Sequence, residues 1–235
     1  MPGALLLHGY TSTPQSLEGL AAALTGAGFD VDVPLLPGHG TTVEDLALRR
    51  WADWVGAAEE AWDELAARHE RAVVGGLSMG GTLAAWLASA RGDVAGLACV
   101  NPIVDPPVES FRELLRSFLA AGHTYVPGPA NDVSQPGARE VAYPQWPIEP
   151  MLSLFEAQDE LLRRLPGVTC PVLIVTSAHD HVVHPVSSDV VAGAVAGPVE
   201  RLVLERSFHL ATLDVERDTL EAAVVDFARR VTKAG

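Results

Sequence analysis

Gly76-Leu77-Ser78-Met79-Gly80 is a G-x-S-x-G pentapeptide. It follows the apolar run Ala72-Val73-Val74-Gly75 and precedes the helix-forming run Thr82-Leu83-Ala84-Ala85-Trp86-Leu87. A serine at such a strand–turn–helix junction sits on a sharp, strained turn, and flanking glycines remove the Cβ atoms that would clash there. The helix start behind it offers unpaired N–H groups and a positive dipole end toward developing negative charge. That chemistry is nucleophilic attack on an acyl carbon. A hydroxyl is a weak nucleophile, so it needs a base and a third group to hold the base.

The order expected behind such an elbow is Ser, then Asp or Glu, then His. Of eight histidines, His209 follows the run 200–204, and Asp180 follows the run 171–177. Both stand at carboxyl ends of strands, on the edge that carries Ser78. Asp105 is the rival acid, just past the run ending at Asn101, but Pro106-Pro107 follow it. His39, in Pro37-Gly38-His39-Gly40, reads as a loop-stabilising hydrogen bonder, His69 as a solvated residue in a polar helix tail, and His123 has no assigned role. The stretch His179-Asp180-His181-Val182-Val183-His184 has a second reading as a metal site. Alternate residues of one loop rarely converge on one ion, and no distant cluster completes the sphere. No metal and no other cofactor is expected. Oxyanion donors are expected at the Met79 N–H and, from His8-Gly9-Tyr10-Thr11, at the Tyr10 N–H.

Positioning these groups requires a sheet. Apolar runs at 4–8, 30–35, 71–76, 94–101, 171–177 and 200–204 read as short strands, several apolar throughout, as in parallel sheets covered on both faces. Trp51, Trp54, Val55, Ala58, Trp62 and Leu65 make one helical stripe, and Leu220, Val224, Phe227 and Val231 make another. The alternation predicts an α/β fold with a mostly parallel sheet. Residues 102–166 break it, carrying ten of the seventeen prolines. Regular sheet is not expected there, because proline lacks the N–H and fixes φ. This stretch reads as a cap inserted into a core of 1–101 and 167–235, placed where open sheets bind ligands. Phe111, Leu114, Phe118, Leu152 and Phe155 of the cap read either as lining for an acyl tunnel or as plain cap core.

The 235-residue chain is 48% hydrophobic with a formal net charge of −14, which excludes disorder and makes nucleic acid an unexpected partner. Cys99 and Cys170 read as small core residues of a protein from a reducing compartment. No apolar run approaches the length of a signal peptide core or a membrane span, so a cytoplasmic setting is expected. The oligomeric state is not legible.

The blocks LLLHGYTSTP, PLLPGHGTT, GLSMGGTL, SAHDHVVHP and SFHLATLD, in this order, resemble the α/β-hydrolase superfamily. Within it they are most similar to bacterial monoacylglycerol lipases and related small carboxylesterases, over residues 5–227. The resemblance implies an α/β-hydrolase fold and an ester substrate, cleaved by Ser78, Asp180 and His209. It also points to Glu140, in Ala138-Arg139-Glu140-Val141-Ala142-Tyr143, as a ligand of the glycerol head group. Tyr10 replaces the usual phenylalanine, a change expected to matter little because the backbone does the work. The leading antiparallel hairpin common in the superfamily looks absent.

Overall fold

Alternation along the central strands feeds two separate cores. Strands β1 (Gly3–Leu7), β3 (Ala72–Leu77), β4 (Val94–Val100) and β7 (Val172–Ser177) are buried almost throughout. Leu5, Leu7, Val74, Leu97, Cys99 and Ile174 join one buried cluster, and Ala4, Leu6, Val73, Ala98, Val100 and Val175 join the other. Successive strand residues face opposite ways, so strands apolar at every position need cover on both faces. The computed structural model, which describes residues 1–129 and 131–233, supplies that cover. Helices α3 (Trp51–Arg68), α4 (Met79–Ala90), α6 (Ile148–Arg164) and α7 (Val186–Ala194) bury residues in the first cluster. Helices α1 (Glu18–Gly26) and α8 (Arg217–Thr232) bury theirs in the second. With β2 (Asp30–Asp32) and β8 (Val199–Leu204), the sheet has six strands in the order β2-β1-β3-β4-β7-β8, paired in parallel throughout. The loops after β1, β3, β4, β7 and β8 therefore share one edge. No helix among the described residues is long and apolar enough to cross a membrane.

Three local expectations are corrected. The second strand ends at Asp32 rather than 35, because Pro34 cannot donate to the ladder and the Leu36 N–H is taken by His8 Nε2 at 3.1 Å. His69 is not solvated: its side chain is 10% exposed, with Nε2 at 2.7 Å from Asp30 Oδ2 and Nδ1 at 3.0 Å from Met1 O. Some regular sheet does persist among the prolines, since β5 (Tyr125–Pro127) pairs antiparallel with β6 (Gln145–Pro147). Pro127 and Pro147 sit at the strand ends, where a missing donor is tolerated.

Between β4 and β7 the chain also carries α5 (Glu109–Ala120). Arg112, on α5, is buried and ties that helix to α6 through Asp159 Oδ2 at 2.7 Å and Phe155 O at 3.0 Å. The buried face of α6 belongs to the same cluster as β1 and β3, so α6 is core on one side and faces the insertion on the other. Helix α2 (Val43–Ala47), N-capped by Thr42 through the Asp45 N–H, completes the edge beside α6.

Candidate active site

Ser78 joins β3 to α4 with φ 57° and ψ −120°, a conformation costing about 1–3 kcal/mol that surrounding contacts must enforce. They do so through the Ser78 N–H, which donates to Val100 O at 2.9 Å, and through very close chain crossings. A Cβ on Gly76 would lie 2.3 Å from the Gly80 carbonyl carbon, and one on Gly80 would lie 1.8 Å from Leu7 O. No other residue type fits at either position. Among the described residues Ser78 Oγ makes no hydrogen bond, and it opens on the cavity that His209 also lines.

His209 Nδ1 lies 2.7 Å from Asp180 Oδ2, with the two side chains 7% and 2% exposed. Asp180 Oδ1 accepts the N–H groups of Val182 and Val183 at 2.8 Å each, which fixes the carboxylate as an acceptor. The structure thus brings His209 to Asp180 rather than to Asp105, which is exposed and whose N–H donates to Ser187 Oγ at 3.0 Å. The loop that carries His209 is held on every side. Asn101, at φ 43°, donates from Nδ2 to His209 O at 2.8 Å, and Ser177 Oγ donates to Phe208 O at 2.7 Å. Asp214 Oδ2 accepts the Phe208 N–H at 2.7 Å, and Asp132 Oδ2 accepts the His209 N–H at 2.9 Å. Sequence reasoning missed Asn101, Asp132 and Asp214, although Asp214 closes the S-x-H-x-A-T-L-D block.

The neighbours of Asp180 do not converge on one ion. His181 Nδ1 meets Asp132 Oδ1 at 2.8 Å, and His184 Nδ1 accepts the Val186 N–H at 3.2 Å. Among the described residues no three side chains of His, Cys, Asp or Glu are placed to share a metal.

Across Ser78 runs the loop after β1. A Cβ on Gly9 would lie 3.5 Å from Ser78 Cβ, so the backbone passes close to the nucleophile position. The Tyr10 N–H has no acceptor among the described residues, and Met79 is the first residue of α4, whose N–H has no intrahelical partner. Both expected oxyanion donors are therefore unpaired beside Ser78. Two buried imidazoles knit this loop to the one after β2. His39 Nε2 accepts the Thr11 N–H at 3.2 Å, and His8 Nε2 accepts the Leu36 N–H, each ring donating its Nδ1 proton to backbone carbonyls. Burial drives both to the neutral form. The pKa of His39 falls to about 4, and that of His8 to about 3, where the neighbouring His39 also contributes. Thr11 itself is strained at φ 62°. The Tyr10 phenol is not idle: it donates to Pro147 O at 2.7 Å and packs edge-on against Trp54 and Trp146.

The cavity holds about 480 Å³, within the range that accepts a small ligand. Its far wall is apolar, built by Phe111, Leu115 and Phe118 of α5 and by Met151, Leu154 and Phe155 of α6. Leu114, read as tunnel lining or cap core, is neither, being 47% exposed on α5, whereas Leu152 is buried in the core cluster, as the second of those readings has it. Leu152 follows Met151 by one residue, about 100° round the helix, and so points away from the lining face. At the near end, Glu140 lines the cavity with Thr11 and His209. Its N–H donates to Asn131 Oδ1 at 2.8 Å, and the adjoining Arg139 O and Val141 N–H are bonded by the Gln15 amide. Burial raises the pKa of the Glu140 carboxyl, a trend opposed by Ser12 and by the proximity of His209.

Residues 4–216 match the family model described as serine aminopeptidase, S33. A thermostable monoacylglycerol lipase of Bacillus sp. (strain H-257) is 35% identical over 233 residues, spanning 96% of this chain and 89% of that protein. A carboxylesterase of Bacillus subtilis (strain 168) is 23% identical over 230 residues, spanning 97% of this chain and 92% of that protein. A solved structure reported for LipS and LipT, two metagenome-derived lipolytic enzymes, superposes with a TM-score of 0.91 at 33% identity, over 97% of this chain and 94% of that one. The parallel sheet, the strained serine between β3 and α4 and the paired Asp180 and His209 agree with these matches, and the chain belongs to the serine aminopeptidase S33 family of α/β hydrolases.

Proposed function

We propose that this chain hydrolyses carboxylic esters, with monoacylglycerols as its preferred substrates, through a Ser78–His209–Asp180 triad. Ser78 Oγ attacks the ester carbonyl while His209 Nε2 takes its proton, and the Tyr10 and Met79 N–H groups receive the oxyanion. Collapse of the tetrahedral species breaks the bond to the glyceryl oxygen, and His209 passes to that oxygen the proton taken from Ser78, so glycerol leaves. Water activated by the same imidazole then releases the fatty acid and regenerates Ser78. Asp180 orients His209 and stabilises its cationic form. The observation that carries the reading is the 2.7 Å contact of His209 Nδ1 with Asp180 beside a strained serine whose hydroxyl is unpaired.

Support for a glycerol head group comes from Glu140, a polar residue at the near end of a cavity whose far wall is apolar. Its carboxylate is suited to accept two hydroxyls, while an acyl chain fills the space between α5 and α6. The relatives named as a monoacylglycerol lipase and a carboxylesterase favour the same ester chemistry over peptide cleavage. Free Cys99 and Cys170 fit a reducing, cytoplasmic setting.

The test uses two substrates on one preparation, a monoacylglycerol and a p-nitrophenyl ester of equal acyl length. Ser78→Ala is expected to lower kcat on both by about 10³-fold or more while leaving the fold intact. Glu140→Gln keeps the shape and removes the charge. It is expected to lower kcat/KM for the monoacylglycerol by about 10- to 150-fold and to spare the p-nitrophenyl ester, which lacks the hydroxyls. Equal turnover of both substrates by Glu140→Gln at parental rates would make the protein a general carboxylesterase.

A further inference from the structure

Two carboxylates near His209 have no part in the reaction written above. Asp214 is 1% exposed, and its oxygens accept four backbone N–H groups. Oδ1 takes those of Gln135 and Val215 at 2.7 Å each, and Oδ2 takes those of Phe208 at 2.7 Å and Ser134 at 2.9 Å. Asp132 reaches in the opposite direction. Its Oδ2 accepts the N–H of His209 at 2.9 Å and of His181 at 3.3 Å, while its carbonyl accepts the N–H of Leu210 at 3.1 Å. Each segment grips the backbone of the other with a carboxylate.

The N–H groups of His209 and Leu210 turn to Asp132 of the insertion, while that of Phe208 is taken by Asp214 of its own segment. Hydrogen bonds to an ionised acceptor are shorter and roughly twice as strong as neutral ones. A tether for the insertion alone would need only Asp214. Asp132 instead bonds the N–H of His209 itself, from which the imidazole projects, and it also meets His181 Nδ1 at 2.8 Å beside the acid loop. The origin of the base is thus fixed from the insertion through its N–H, as well as from the sheet edge, where Asn101 and Ser177 hold the carbonyls of His209 and Phe208.

We propose that Asp132 and Asp214 are positioning residues through which segment 131–135 of the insertion sets the backbone of His209. The proposal rests on the reading of His209 as the general base. Misplacement of a catalytic group by about 1 Å costs on the order of 10²-fold, and it acts on chemistry rather than on binding.

The experiment measures kcat and KM on a short p-nitrophenyl ester, which does not fill the apolar wall, and on a monoacylglycerol. For Asp132→Ala the expected result is a kcat lower by about 10- to 100-fold on both substrates, with KM within about twofold of the parent. Asp132→Asn retains an acceptor for the His209 N–H and is expected to recover most of that loss, to within about threefold of the parent. Should Asp132→Ala not fold, the same roughly threefold fall in kcat on both substrates in Asp132→Asn carries the test. Parental kcat in Asp132→Ala, or in Asp132→Asn where Asp132→Ala does not fold, overturns the proposal. So does a KM rise confined to the monoacylglycerol, which would assign Asp132 to the insertion alone. His209→Ala separates the two readings. If it is inactive while Asp132→Ala is fully active, only the positioning role fails; if His209→Ala is active, the triad fails with it.

Discussion

On one side of Ser78, the loops after β1 and β2 are knitted together by neutral imidazoles, His39 accepting the Thr11 N–H and His8 the Leu36 N–H. On the other side, the N–H groups of Phe208 and His209 are held by the carboxylates of Asp214 and Asp132. Both sides place unpaired or reactive groups beside the same serine, and both are anchored by side chains distant in sequence. The anchoring chemistry differs in what protonation does to it. An imidazole accepts a hydrogen bond only while neutral, and burial keeps it so down to about pH 4 for His39. A carboxylate accepts best when ionised. One wall is therefore protected by desolvation, and the other by charge.

Breaking the carboxylate wall at its innermost member has the largest expected effect. Asp180→Asn removes the charge that stabilises the imidazolium and can favour the wrong tautomer, so kcat is expected to fall by about 10³- to 10⁴-fold. Asp105→Asn is expected to stay within about threefold of the parent, since Asp105 does not contact His209. Kinetics on a p-nitrophenyl ester decide the pair, and a reversed result would redraw the triad. The imidazole wall breaks more gently. His39→Leu leaves the Thr11 N–H buried and unpaired and frees the Tyr10 donor to shift, with an expected loss of about 10- to 100-fold in kcat.

Acidification sharpens the contrast through stability rather than rate. His39 titrates near 6.5 when unfolded and near 4 when folded, so the unfolded chain takes up the proton first as pH falls. The stabilisation from this group is complete above pH 6.5 and is lost progressively toward pH 4, on the order of 3 kcal/mol. Urea midpoints measured across that window are expected to fall with pH in the parent. His39→Gln keeps an acceptor for Thr11 without a titrating ring, and its midpoint is expected to fall less. Equal slopes in the two proteins would remove His39 as the origin.

Local pattern accounts for what was legible. Ser78 follows its strand directly, and Asp180 and His209 follow theirs by short loops, so strand ends read from the sequence located all three on one edge. The turn role of His39 was also readable, because Gly38 and Gly40 flank it. Asp132 and Asp214 were not readable, since the bonds that define them span 77 and 80 residues and join two irregular loops. No period or spacing encodes a contact between loops. The β5–β6 pairing was hidden for another reason. Proline content argues against strand interiors, and Pro127 and Pro147 occupy strand ends. Leu114 was misplaced because a short apolar patch fixes a helix without fixing which of its faces meets a cavity.

The exchange of carboxylates between 131–135 and the last block also bears on how such proteins can be recombined. Asp214 lies eighty residues after Ser134, whose N–H it accepts. Any crossover between those positions draws the two halves of the lock from different parents. A chimaera that exchanges the insertion alone would inherit a foreign loop facing a native aspartate, and its register with residues 208–210 would rest on chance. The unit that can be transplanted intact is therefore discontinuous: the insertion travels with the C-terminal block, and the intervening strands β7 and β8 can stay behind.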